Sequence, residues 1–363
     1  MTIPTDHPRD PVLPLPMEGH GSYNRSSRVQ ATGLLPAVAL LERAAKTVAV
    51  VPSPHAIVIA DYGSSQGHNS LLPMAVAIGA LRERLGPEQP ISIVHTDLPD
   101  NDFTGLFHTL ESDPDSYLRN DPSAYASAVG RSFYEQLLPP ESVTLGWTSW
   151  SVQWLSRMPV AIPDHVQVAY SRDEATRDAF ARQAAEDWRL FLIQRSRELC
   201  HGGRLVVLTM AIDDAGRFGY QPLLDAMYAS LTEMARDGFI SREELRRMAI
   251  PTVGRSRAEL SAPFVGGRFS NLSITHLEIF AGEDRIWSEF QTSGNASAFG
   301  AQWAAFSRAS VFPTLAAALK NGIDDPRHAA FLDRLEAGLA TRLAAAPAHM
   351  GIPLAALLLI KER

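Results

Sequence analysis

The 363-residue sequence has a single cysteine, Cys200, which excludes an intramolecular disulfide framework and any multi-cysteine zinc site. Charged residues make up only 20% of the chain, 33 basic against 40 acidic. The formal net charge of −7 offers no general attraction to nucleic acid or to anionic membranes. No segment reaches the roughly 18 consecutive apolar residues expected of a membrane-spanning helix. The 11 histidines, His20, His68, His95, His108, His201 and His276 among them, show no His-Glu-x-x-His or other ligand spacing, so no metal is expected. No nucleophile-activating pair stands out, and no nucleophile elbow is expected. A repeat of 20–50 residues is also missing, which excludes a solenoid.

What is present is a hydrophobic fraction of 45%, ample for a packed core and incompatible with global disorder. The length predicts two domains, or one large domain with an elaborate insertion. Residues 1–16 are proline-rich and carry Asp6, Arg9 and Asp10, which predicts a mobile arm rather than an export signal. A soluble cytoplasmic protein is expected.

A helical pattern covers 26–47, with Leu34, Leu35, Val38, Leu41 and Ala45 approximating one face. The apolar run 56–60, bounded by Pro54 and Gly63, has the signature of a buried strand. Helical periodicity over 70–85, stopped by Gly86-Pro87, and a strand at 91–95 complete a strand–loop–helix–strand order. That order is the right-handed crossover of a parallel sheet. Further on, 143–145 reads as a short strand. A long helix over 173–200 is anchored by Phe180, Trp188, Phe191 and Leu192, ends at His201-Gly202-Gly203, and is followed by a buried strand at 204–210. Helices are predicted at 223–235 and 241–248, the second opened by a capping-box pattern at Ser241 and Glu244. A strand at 270–280, a helix at 325–345 and a core strand or helix at 352–360 complete the chain. The fold class is α/β: a Rossmann-like, doubly wound, mostly parallel sheet with an α-helical cap.

Two acids at strand ends carry the chemistry. Asp61-Tyr62-Gly63-Ser64-Ser65-Gln66-Gly67 places an acid before glycines four apart, where the backbone turns tightly without a Cβ in the way. An acid there can receive the amino group of a cationic metabolite. The Asp-x-Gly-x-x-x-Gly spacing favours S-adenosylmethionine over NAD. Asp97, after the next strand, can hold ribose hydroxyls. An ordinary strand-to-helix turn and an ordinary helix cap are the alternatives for each acid alone. The segment 147–154 contains Trp147, Trp150 and Trp154, a density that suits either a pocket wall or a core anchor.

Four separated motifs resemble the SABATH carboxyl and N-methyltransferases. Gly21-Ser22-Tyr23-Asn24-Arg25-Ser26-Ser27-Arg28-Val29-Gln30 resembles the family's N-terminal signature. Ile59 to Asn69 resembles "IADLGCSSGPN", and Thr96-Asp97-Leu98-Pro99-Asp100-Asn101-Asp102-Phe103 resembles "NDLPGNDF". Val129-Gly130-Arg131-Ser132-Phe133-Tyr134, running on to Trp154-Leu155-Ser156, resembles the fourth motif. The likeness spans about 17–260, and a bacterial member is expected. It implies S-adenosyl-L-methionine as methyl donor, with Tyr23, Ser27, Asp61, Gly63 and Asn69 toward the methionine end. Asp97 and Leu98 match the ribose and adenine positions, and Ser132 and Phe133 flank the adenine. Gln30 and Trp154 fall where the family holds a substrate carboxylate by an amide N–H and an indole N–H. Trp150, Gln153, Leu224 and Val253 bound the acceptor pocket. The departures include Trp150 for Tyr, Ser64 for Cys, His68 for Pro, and Thr252-Val253-Gly254-Arg255-Ser256 where an aromatic is usual.

The resemblance implies a methyltransferase that esterifies a small, partly apolar carboxylic acid, acting as a homodimer. Its competitors are a ring-nitrogen or hydroxyl acceptor, the latter needing His20 or His68 as base, and a cofactor-binding protein without transferase activity. The expected organisation is an arm at 1–16, a cofactor-binding domain at 17–212, a cap part at 213–261, a return to the sheet at 262–299, further cap helices at 300–345 and a final sheet element at 346–363.

Overall fold

The computed structural model describes residues 33–51 and 53–362. The apolar runs form seven strands: β1 (Ile57–Tyr62), β2 (Ile91–Asp97), β3 (Ala124–Gly130), β4 (Val143–Ser149), β5 (Leu199–Met210), β6 (Leu272–Gly282) and β7 (Ile352–Lys361). They make one sheet in the order β3-β2-β1-β4-β5-β7-β6. The first five strands are parallel, and β7 runs antiparallel to both its neighbours. Parallel alignment brings the carboxyl ends of β1 to β5 to one edge. The order reverses direction between β1 and β4, and in open α/β sheets a ligand crevice lies outside such a switch point.

Helices cover both faces. Helix α1 (Leu35–Thr47) and α2 (His68–Leu85) pack together on one side, and α3 (Phe103–Ser112) and α4 (Tyr117–Asn120) follow β2. The long α5 (Glu174–Glu198) buries Phe180, Trp188, Phe191 and Leu192, the anchors expected from its spacing. Helix α6 (Gln221–Arg236), α7 (Arg242–Arg247) and α8 (Arg257–Ser261) lie between β5 and β6. The capping box at Ser241 and Glu244 forms as its pattern predicts. Then α9 (Arg285–Ser293), α10 (Ala296–Ser310), α11 (Phe312–Ala316) and α12 (His328–Ala345) precede β7, with α12 packed on α10 and α6.

Four local expectations change. Leu35 is 61% exposed, so the buried face of α1 runs through Leu34, Val38, Leu41 and Ala45 without it. The helix of 173–200 stops at Glu198, because Leu199 already pairs with Val143 as the first residue of β5. A register shift between Val143 and Leu145 accommodates the stretch before Arg204, where Gly202 adopts φ +77°. Strand β4 reaches Ser149 and so contains Trp147, which is fully buried. Strand β3 has no counterpart in the apolar runs. It is an edge strand of small residues, with Tyr125 exposed, and an edge needs no continuous apolar run.

Candidate active site

The site lies at the carboxyl edge of the parallel strands. Asp61 in β1 stands beside His95 in β2, and Asp97 pairs with Gly130 at the end of β3. The loop after β1 is pinned to the next strand: Gly63 and Ser64 N–H groups donate to the Thr96 carbonyl at 2.8 and 3.0 Å. Gly63 has φ +88°, and a Cβ there would lie 2.0 Å from the Ser151 hydroxyl, so only glycine lets this loop meet the loop after β4.

Both carboxylate oxygens of Asp97 accept backbone N–H bonds, Oδ2 from Ser65 at 2.7 Å and Oδ1 from Leu98 at 2.8 Å. Burial nevertheless pushes the Asp97 carboxyl up to about 6, and the nearby Asp61 charge adds to the rise. Asn69 sits in the first turn of α2. Ser132 and Phe133 follow β3, where the Arg195 guanidinium donates to the Phe133 carbonyl at 2.6 Å. The Phe133 ring packs 4.7 Å from that of Tyr134. Adjacent strand ends thus bring Asp61, Gly63, Asp97, Leu98, Ser132 and Phe133 to one edge.

Ser65 corrects one expectation. Gly63-Ser64-Ser65-Gln66-Gly67 does have Gly-x-Ser-x-Gly spacing, and Ser65 lies on the strand-to-helix turn at φ +48°. That is the setting of a nucleophile elbow. Among the described residues no histidine is hydrogen-bonded to Ser65, whose N–H instead serves Asp97, so none of them is placed as the base that would activate its hydroxyl.

A cavity opens beyond the ends of β4 and β5, with about 620 Å³ of space between its walls, part of it open to solvent. Trp150, Gln153 and Trp154 form one side, α6 contributes Leu224 and Met227, and α10 contributes Phe306. Trp150 adopts φ +56°, a strained conformation for a bulky side chain. The loop carrying these residues is held from several directions. The Tyr134 hydroxyl donates to the Trp154 carbonyl at 2.5 Å, and Leu155 N–H to the Pro251 carbonyl at 2.8 Å. The buried Arg255 donates to the Val152 carbonyl at 2.7 Å. The Trp154 indole N–H has no hydrogen-bond partner among the described residues. Thr209 donates to Gln153 Oε1 at 3.3 Å, which fixes the amide with its NH₂ as the free donor. None of the described lining residues is an acid, a lysine, an arginine or a histidine.

Val253 does not line this cavity. Residues 252 and 253 point opposite ways along an extended segment that bridges Trp154, so Thr252 faces the cavity and Val253 packs with Leu155, Ile162 and Phe180. Tyr23, Ser27 and Gln30 lie outside the described residues. Thr209 stands behind the cavity wall and touches it through Gln153. Sequence reasoning missed Gln167, Phe218 and Phe306 at the acceptor cavity, since none of them belongs to a motif, and it named Thr252 only as a departure from the usual pattern. It also passed over His95 and Tyr117 behind Asp61. A histidine inside an apolar strand two residues before an acid was the available signal.

The fit to a nucleotide-linked sulfonium is direct: a buried acid at the first strand end, glycines in the left-handed region, a second acid at the next strand end, and an aromatic beyond the third. This sheet order with these strand ends defines a class I methyltransferase fold. The model of the family described as "SAM dependent carboxyl methyltransferase" matches residues 15–354, and the chain belongs to that family.

Its relatives include methyltransferase FUS9 of Gibberella fujikuroi, 30% identical over 248 residues, a stretch covering 68% of this chain and 66% of that protein. Benzoate O-methyltransferase of Zea mays is 26% identical over 272 residues, covering 67% of this chain and 71% of the relative. For salicylate carboxymethyltransferase of Clarkia breweri the figures are 28% over 249 residues, 66% and 67%. The chain thus matches about two thirds of the length of these fungal and plant relatives. A solved structure of loganic acid methyltransferase with SAH shares the fold, with a TM-score of 0.76 at 20% identity over 96% of this chain and 99% of that one.

Proposed function

We propose that the protein transfers a methyl group from S-adenosyl-L-methionine to the carboxylate of a small, partly apolar acid, forming its methyl ester. The observation that carries this reading is the acceptor cavity: apolar walls, neutral N–H donors at Gln153 and Trp154, and no base among its described lining residues. A carboxylic acid of ordinary pKa, about 4, is already ionised near neutrality and needs no base. A hydroxyl acceptor would need one. Of the two histidines that could provide it, His68 lies exposed at the start of α2, 3.5 Å from Asp113, and His20 lies outside the described residues.

In this reading Asp61, Gly63, Asn69, Asp97, Leu98, Ser132 and Phe133, with Tyr23 and Ser27, hold the cofactor. When bound, it supplies an electrophilic methyl carbon and its own leaving group. Gln30 and Trp154 orient the carboxylate without pairing it to a cation, and Trp150, Gln153 and Leu224 shape the space around it. Orientation of this kind is worth up to roughly 7–11 kcal/mol of the barrier. The apolar walls keep water from competing for the acid oxygen. The proposal includes a homodimer, as the resemblance implies, and a cytoplasmic location; separately, no described helix is long and apolar enough to cross a membrane.

Calorimetry with S-adenosylhomocysteine, followed by turnover on a panel of aromatic, aliphatic and heteroaryl acids, tests the proposal. Tight cofactor binding and ester formation on at least one acid are expected. Binding with no turnover on any acceptor would favour a cofactor-binding protein instead.

A further inference from the structure

Asp61 is held from behind by two side chains, His95 and Ser70, and His95 is held in turn by Tyr117. His95 is fully buried, and its Nδ1 lies 2.8 Å from Asp61 Oδ2. Its Nε2 lies 2.8 Å from the Tyr117 hydroxyl, with the two rings stacked at 6.1 Å between centroids. The Ser70 hydroxyl donates to the same Asp61 Oδ2 at 2.5 Å.

The donor roles follow from chemistry. An ionised carboxylate only accepts, so the proton sits on Nδ1, and a neutral imidazole then accepts at Nε2 from the Tyr117 hydroxyl. The relay runs one way, from Tyr117 through His95 to Asp61. Both donors converge on Oδ2. Oδ1 has no hydrogen-bond partner among the described residues, although Asp61 is only 2% exposed. A buried anion with one oxygen saturated by neutral donors and the other left open is costly unless a cation completes it. Among the described residues nothing else completes Oδ1, so it is the oxygen that a positive charge at the start of the Gly63–Gly67 turn would meet.

We propose that His95 and Tyr117 are positioning residues that reserve Asp61 Oδ1 for the ammonium group at the methionine end of the cofactor. The proposal rests on the cofactor reading above. It assigns a role in cofactor discrimination to two side chains behind the pocket wall.

Calorimetry comparing S-adenosylhomocysteine with 5′-methylthioadenosine, which shares the nucleoside but has no ammonium group, provides the test. In His95→Leu, affinity for S-adenosylhomocysteine falls about tenfold or more, the range for a lost hydrogen bond to a charged group. Methylthioadenosine changes by less than about threefold in the same variant, because the ammonium interaction alone is lost. His95→Asn, which restores an N–H near Nδ1, recovers much of the loss. Tyr117→Phe removes one hydroxyl and shifts the same ratio by about two- to fivefold, which keeps the test decisive if His95→Leu fails to fold. Proportional weakening of both ligands would overturn the positioning role alone. A wild-type chain that binds no S-adenosylhomocysteine would overturn this proposal together with the cofactor reading.

Discussion

The two halves of the site are built in opposite ways. The cofactor half comes from neighbouring strand ends, with Asp61 beside His95 and Asp97 beside Gly130, and its acids are fixed by short polar contacts. The acceptor half gathers side chains from the loop after β4, the end of β5, α6, the 250–252 segment and α10, and its walls are apolar. Fixed acids suit a ligand that never changes. A wall assembled from helices outside the sheet can be altered piece by piece without disturbing the edge that holds the cofactor. If recognition of the acceptor rests on shape and neutral donors, as proposed, substitutions in the two halves should separate cleanly in cofactor affinity and acceptor turnover.

The largest effect is expected at Asp97. Its Ala variant loses the carboxylate proposed to accept the ribose hydroxyls and also frees the Ser65 and Leu98 N–H groups. S-adenosylhomocysteine affinity should drop roughly a hundredfold or more by calorimetry. Next is Trp154→Phe, which keeps an aromatic ring and removes the indole N–H. Acid turnover, as kcat/KM, should fall about tenfold or more while S-adenosylhomocysteine affinity stays within about twofold. A parallel loss of both would erase the distinction between the halves.

pH sharpens the contrast, because Asp97 is pushed up to about 6 while the acceptor wall holds no acid, lysine, arginine or histidine among its described residues. In the proposed role the carboxylate is the form that would accept the ribose hydroxyls. Cofactor affinity should therefore be full above pH 6 and fall as pH drops below it, by up to about tenfold per unit, with proton release on binding. Folding has the opposite sign. A raised carboxyl contributes its stability below its unfolded value of 3.8 and loses it as pH rises through about 6. Calorimetry in buffers of differing ionisation enthalpy would reveal the proton. An affinity flat from pH 5 to 8 would contradict it.

The smallest effect is at Thr209→Val, which frees the Gln153 amide to rotate. KM for the acid should rise about three- to fivefold with cofactor binding unchanged.

The same contrast explains what the sequence could reveal. Asp61 and Asp97 announce themselves because a strand, a tight turn and a helix must follow one another within a few residues, and glycine with φ near +88° marks the turn. Trp150 and Trp154 stand out by density, though nothing in their spacing separates them from Trp147, which ended in the core. Val253 was misplaced by one residue. Along an extended segment that is the difference between the cavity and the cluster around Phe180. Gln167 and Phe306 are illegible, because only tertiary packing decides which residues face a cavity. Strand β3 escaped for a related reason: an edge strand of small residues carries no apolar run to read.

The most direct measurement is the chemical character of the methylated product. With S-adenosyl-L-methionine and a small aromatic or aliphatic acid, the wild-type chain should yield a product whose new methyl group is released as methanol by mild alkali. Trp154→Phe should yield that product at about a tenth of the rate or less. A methyl group that resists alkali, or ester formation at full rate in Trp154→Phe, would contradict carboxylate recognition by neutral donors.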